Sequence, residues 1–592
     1  MPQRWNHRSI LKIAFLFGIA PLLAQNWSAP LPPAQPWHGA SEALVADMHD
    51  PWITPAEQTG LESTPTYAET VAWLQRLAAA SPYVQLVSLG RSPEQRDIWL
   101  VVASKEGGRT AAELTNAGKP TLLVQGGIHA GEIDAKDAGL MLLRDMTVGG
   151  MHPGLLDSVN FLFVPILSVD GHERRSPFGR INQRGPEGSG WRTTAGNLNL
   201  NRDYAKLDAR EMRLMVQALN QWDPDLYLDI HVTDGIDYQY DITFGFAGEQ
   251  GLSPEAGKWL SQVLTPAVNA DLREMGHIPG PLIFPIDRHD PAKGLLDWVA
   301  SPRYSNGYGD ARHLPTVLVE NHSLKPYRQR VLGTYILISG ALRSLARHGE
   351  SLKRATATDR NRSPQLVPLD WSQTKGASHT IEFLGIGWKT YSSRVSGRNE
   401  IRWTGDPITL TVPFRTFHEP ANTVARPKAY WIPPAWDDVI ERLAIHGIYM
   451  NRMEKAQQVE VEMVRFTTFV LDDEPFEGRV RVTAEGATER RRQVYPAGSV
   501  RIPTDQPLGD LAIVLLEPKA PDSFLQWGFF NEIFQRIEYV EGYVMVPLAQ
   551  RMIDSDPSLR AAFRKKLKAD PEFASSPKAR LKWFYEKTPL LR

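Results

Sequence analysis

Cysteine is absent from this 592-residue sequence. That excludes disulfides, a lipid-bearing N-terminal cysteine, thiolate metal sites and a cysteine nucleophile. Any metal site must be built from His, Asp or Glu, a donor set that points to catalysis rather than to a structural staple. Charge of one sign is also missing. The formal net charge is −1, so no bulk field draws nucleic acid or an anionic membrane. No apolar run beyond the N-terminus reaches the about 18 residues of a membrane span, and no internal repeat is present. The length exceeds what one core can organise and implies two or three domains.

The N-terminus reads as an export signal over residues 1–29. Arg4, Arg8 and Lys12 precede a short apolar stretch, Ile13 to Ala24, followed by small residues. A Pro-rich lead over 30–60 is expected to be poorly ordered or laid on a surface. From there to residue 350, short apolar runs ("TLLVQ", "VNFLFVPIL", "DLYLDI", "PTVLVEN") alternate with helical periods. This predicts an α/β fold with a mixed, mostly parallel sheet and helices on both faces. Residues 351–368, "SLKRATATDRNRSPQLVP", are polar and aperiodic and read as a linker. Residues 369–592 alternate as strands with some helix, which predicts a β-rich α+β accessory domain.

In open α/β sheets, ligands bind beyond the carboxyl ends of the strands. Three such ends carry metal-type or acid/base residues. "TLLVQGGIHAGE" delivers His129 and Glu132, "LYLDIH" delivers His231, and "TVLVE" delivers Glu320. If the chain turns into a helix after the glycines, His129 and Glu132 share one face. With His231 they make a His–Glu–His set, the three-ligand, open-position arrangement of catalytic zinc. H-x-x-E alone is weak: 15 histidines give about one chance match at average Glu usage. The second match, His379 and Glu382, sits in a strand pattern that puts the two side chains on opposite faces; it reads as accidental. Between the ligand segments, "GWRTTAGNLNLNRDY" offers Arg192 and Arg202 to anions near a metal.

As an ordered set, "HAGE", "WRTTAG", "NLNRDY", "DIH" and "LVEN" resemble the zinc metallocarboxypeptidases, the family of the pancreatic carboxypeptidases, over roughly residues 60–350. The resemblance implies one zinc ion per chain on His129, Glu132 and His231. It implies Glu320 as general base, Arg192 beside the oxyanion, and Asn201 with Arg202 as the grip on a terminal carboxylate. The family usually has an aspartate two positions before the asparagine, orienting a zinc histidine; here Asn199 stands there. The family's mobile tyrosine falls on Tyr304 or Tyr308, and the flanking glycines favour Tyr308 as the catalytic one. "TDGIDYQYD" after His231 either lines a pocket through Asp234, Tyr238 and Tyr240 or is a structural hairpin. The catalytic domain implied is 61–350.

The expected function is therefore a zinc-dependent exopeptidase, exported to the periplasm or secreted. It would hydrolyse the C-terminal bond of peptides that carry a free carboxylate, using a metal-activated water. Nucleic acid and stable membrane insertion after signal removal are not expected. Two alternatives stay open: a zinc deacylase or amidohydrolase of the same fold acting on N-acyl amino acids or peptidoglycan stem peptides, and a catalytically silent peptide-binding module.

Overall fold

The computed structural model describes residues 30–105, 110–374, 379–535 and 540–588; the expected export signal lies outside them. One eight-stranded sheet organises the first half. Its strands are β1 (Val84–Arg91), β2 (Asp97–Ala103), β3 (Thr121–Gln125), β4 (Asn160–Val164), β5 (Leu226–Thr233), β6 (Ile242–Gly245), β7 (Pro279–Pro281) and β10 (Thr316–His322), in spatial order β1-β2-β4-β3-β5-β10-β6-β7. The centre, β4-β3-β5-β10, is parallel. The edges bring in antiparallel pairs, so the sheet is mixed as expected.

Every residue of β3 and β4 is buried, which is why these strands read as unbroken apolar runs. Successive side chains go to opposite faces. Leu122 and Val124 join the core under helices Tyr67–Ala80, Asp134–Met146 and Tyr327–Arg360, while Leu123 joins the core under helix Arg210–Trp222. The lead over 30–60 is laid on the body. Trp37 donates from its indole to the Gly276 carbonyl, and Glu57 pairs with the buried Arg144.

The expected linker at 351–368 is a correction. Helix Tyr327–Arg360 runs through its first ten residues. Leu352, Thr356 and Asp359 are buried along it at helical spacing. Asp359 accepts from the amides of Glu255 and Ala256 at the start of a neighbouring helix.

The second half is β-rich. Strand β11 (Leu366–Ser372) pairs with β14 (Glu419–Ala425). Strand β12 (His379–Ser392) forms a long hairpin with β13 (Asn399–Arg415). Strand β15 (Ala429–Ile432) and β16 (Asn451–Arg452) flank β19 (Val500–Pro503), and β17 (Gln457–Leu471) pairs with β18 (Val482–Tyr495). Two short strands from the first half, β8 (Phe284–Pro285) and β9 (Leu295–Leu296), complete the β12–β13 sheet. The halves also share a core. Val439, Leu443, Leu511, Phe524 and Trp527 pack in one cluster with Ile98, Leu123, Met215 and Tyr308. Among the described residues, no helix is long and apolar enough to cross a membrane.

Candidate active site

Adjacent strand ends build the site. β3, β5 and β10 are neighbours, and Glu320 on β10 stands in register beside His231 on β5. The chain leaving β3 turns at Gly127, whose φ of +63° disfavours any residue with a Cβ. His129 and Glu132 then lie in a turn closed by the Glu132 amide on the His129 carbonyl, 2.9 Å. The helix begins only at Asp134, so a turn, rather than the expected helix face, brings the two side chains together. Gly131 lets that turn pack: a Cβ there would stand 2.5 Å from the Gly190 carbonyl oxygen.

Three donors converge. His129 Nδ1 and His231 Nδ1 lie 3.0 and 3.1 Å from Glu132 Oε2 and 3.2 Å from each other. Among the described residues these three form the one His/Asp/Glu cluster able to hold a metal ion. All three are buried. The far nitrogens are tied back, with His129 Nε2 3.0 Å from Asn199 Oδ1 and His231 Nε2 2.9 Å from Asp229 Oδ2. These acceptors hold a proton on each Nε2 and leave the Nδ1 lone pairs free for a cation.

For His129 the electrostatics agree with that assignment. Burial lowers the His129 pKa to about 4, which keeps it in the neutral, ligating form. Burial also opposes protonation of His231, but the Asp229 and Glu132 carboxylates outweigh it and raise its pKa. A proton there does what a divalent cation would do, neutralising buried negative charge. Burial works against ionised Glu132 too, yet His129 and the Arg180 guanidinium hold its pKa well below the usual carboxylate range. Arg180 Nη2 is 2.7 Å from Glu132 Oε1. The residues therefore fit a zinc ion, as this donor set implies.

A cavity of about 350 Å³ opens over the donors. Its lining brings together His129, Glu132, His231, Glu320, Arg192, Asn201 and Arg202. Glu320 Oε2 is buried and has no hydrogen-bond partner. Burial raises its pKa to about 8, with His231 opposing the shift and Glu132, Asp229 and Asp234 adding to it. Arg192 reaches from its loop to within 3.4 Å of Glu132 Oε1. Arg202 is pinned by its own bond to the Asn201 carbonyl, 2.7 Å, and by the Tyr304 ring, whose centroid lies 4.5 Å from the guanidinium carbon.

One site expectation is corrected. Tyr308 is not at the site. It is 1% exposed, in helix Ser305–Ala311, with its hydroxyl 2.9 Å from His446 Nδ1. Its flanking glycines serve close packing, not loop motion. A Cβ on Gly307 would stand 2.3 Å from the Ser301 carbonyl oxygen, and one on Gly309 2.0 Å from Thr316 Oγ1. Tyr304 is the tyrosine that lines the cavity. Of the cluster after His231, Asp234 lines it, whereas Tyr238 and Tyr240 are buried in a separate apolar core. His379 and Glu382 lie exposed in β12, outside any metal-type cluster among the described residues.

Sequence reasoning missed Asp229, Arg180, Glu477 and the apolar wall Phe284, Leu296 and Trp298. For Asp229 a signal existed: two residues before His231 on a strand, it shares that residue's face. For Glu477, whose carboxylate accepts from the Asn199 amide at 2.8 Å, and for Arg180 there was none, because both arrive from distant loops.

Residues 70–270 match the family model of zinc carboxypeptidases, a stretch that contains His129, Glu132, Arg192, Asn201, Arg202 and His231 and stops short of Tyr304 and Glu320. The chain is similar to Carboxypeptidase 2 of Trichophyton tonsurans, 22% identical over 79% of this chain and 84% of that protein. It is similar to Carboxypeptidase 2 of Trichophyton rubrum at 24% identity over the same shares. Among solved structures, it is similar to the carboxypeptidase A of Helicoverpa armigera, with a TM-score of 0.36 and 20% identity over 50% of this chain and 81% of that one.

Proposed function

We propose, from the premise that residues 70–270 belong to the zinc carboxypeptidase family, that this metallocarboxypeptidase hydrolyses the C-terminal peptide bond of peptides with a free terminal carboxylate. The observation that carries the reading is the cavity in which Glu320 and Arg202 both face the His129–Glu132–His231 donors. A zinc ion on those donors supplies Lewis-acid polarisation of a peptide carbonyl and lowers the pKa of a water.

The remaining chemistry belongs to the chain. Glu320 takes a proton at Oε2 from the attacking water and returns it to the leaving amine, two transfers that one carboxylate within reach of both can make. Arg192 places positive charge beside the carbonyl oxygen as negative charge develops there. Asn201 and Arg202 hold the terminal carboxylate, Arg202 through its planar fork, with Tyr304 stacked on that guanidinium. Asn199 and Asp229 orient the two histidines.

Initial rates on blocked dipeptides, their C-terminal amides and N-acetyl amino acids test the reading. The expected result is turnover of the free-acid dipeptides alone. Turnover confined to N-acetyl amino acids would make the protein a deacylase, and none on any substrate with zinc bound would make it a binding module. The basic, then apolar N-terminal stretch supports export; a mature N-terminus still at residue 1 would contradict that.

A further inference from the structure

The apolar side of the cavity is Phe284, Leu296, Trp298, Tyr304 and Leu318. The first three sit on or beside the β8–β9 hairpin, whose ladder has only two residue pairs, Phe284 with Leu296 and Pro285 with Leu295. Such a hairpin is marginal alone. Its third strand comes from the second half of the chain: Leu295 and Leu296 pair in parallel with Phe414 and Arg415 at the end of β13.

Asp297 sits at the seam, between the two cavity-lining residues Leu296 and Trp298. Its amide donates to the Arg415 carbonyl at 3.0 Å. Its carboxylate accepts from the Phe417 amide at 2.8 Å and lies 2.8 Å from His418 Nε2. In extended chain, alternate side chains point opposite ways. Asp297 faces the accessory strand while its neighbours face the cavity. Beneath it, fully buried Leu295 shares a core with Phe383 and Val412. At the far end of the hairpin loop, His289 Nε2 meets Glu400 Oε2 at 2.9 Å.

The wall reaches the carboxylate grip through aromatic contacts. Trp298 stands edge-on to Tyr304, with centroids 4.6 Å apart, and Phe284 edge-on to Trp298 at 5.8 Å. Tyr304 in turn covers Arg202.

We propose that the C-terminal half holds the specificity wall of the cavity in place, with Asp297 as the positioning residue that ties the wall to β13. The wall takes a bulky apolar side chain from the substrate's C-terminal residue. This rests on the carboxypeptidase reading above. Every wall residue lies within 61–350, but the strand that holds the wall does not, so the accessory half takes part in substrate recognition.

The test uses full-length protein and blocked dipeptides ending in Phe or Ala, with calorimetric binding of free L-phenylalanine and L-alanine and zinc content measured in parallel. Wild type should prefer the Phe substrate. Asp297→Ala should raise KM for it about tenfold, the scale of a partly lost apolar pocket, with kcat and zinc content unchanged and the Ala substrate little affected. His418→Ala, at a half-exposed site that leaves the fold intact, should move the ratio the same way by less. Asp297→Asn, which keeps an acceptor for the Phe417 amide, should recover part of the loss. An unchanged Phe-to-Ala ratio in both Asp297→Ala and His418→Ala, or an equal loss on both substrates, would overturn the proposal. If wild type cleaves neither peptide, the peptidase reading fails and binding decides the wall: tighter phenylalanine binding that Asp297→Ala abolishes supports it, and equal binding of both amino acids overturns it.

Discussion

Strands β5 and β17 belong to the same chain and obey different rules. In β5 the first seven of eight residues are buried, and the strand delivers Asp229 and His231 to the site. In β17, fifteen residues long, no residue is fully buried, and its one partner is β18. The difference is one of layers. β5 lies between two helical faces, so each side chain has a dry neighbour whichever way it points. β17 sits in a two-stranded ribbon, and both of its faces meet solvent. A buried strand can hold charged residues in fixed geometry only by pairing each of them, as Asp229 and His231 do. The ribbon supplies reach and strand edges rather than a site. The accessory half touches the chemistry through its ends and loops: β13 at Asp297, Glu477 at Asn199.

The largest effect expected on this comparison comes from Glu320 on β10, whose Oε2 is buried and unpaired. Glu320→Gln should lower kcat by about 10³-fold, within the range for a lost general base, while zinc content stays at wild-type level. Wild-type turnover in that variant would remove Glu320 from the base role. Next is packing. Leu228→Ala in β5, at a residue 1% exposed, should cost about 3 kcal/mol by urea unfolding. Val470→Thr in β17, at a residue 70% exposed, should change stability by less than about 0.5 kcal/mol. Similar costs at both positions would erase the contrast.

A finer prediction concerns the two histidines. Asp229→Asn should weaken zinc binding about 10- to 100-fold, the usual range for an outer partner of a ligating histidine. Asn199→Asp should strengthen it, since a charged acceptor would then stand behind His129. Competition with a chromophoric chelator reads both. Equal and opposite small shifts would mean that the outer partners do not set affinity here.

These contrasts also explain what the sequence could convey. The parallel strands were legible because burial on both faces leaves unbroken apolar runs, and strand ends then named His129, Glu132, His231 and Glu320. The helical end of the expected linker was hidden because its buried stripe is Leu352, Thr356 and Asp359 rather than three apolar residues. Tyr308 was chosen for its glycines, and glycine signals close packing as readily as motion; only the contacts around Gly307 and Gly309 tell the two apart. Trp298 and Asp297 were invisible as site residues because their place depends on pairing with a strand more than a hundred residues further along the chain.

The central claim is that His129, Glu132 and His231 hold one divalent ion. Zinc per chain should be measured by elemental analysis after exhaustive dialysis, in wild type and in His231→Ala. One equivalent in wild type, falling to near zero in the variant with its fold intact by circular dichroism, is the predicted result. Zinc retained at one equivalent in His231→Ala, or none bound by folded wild type, would contradict the account.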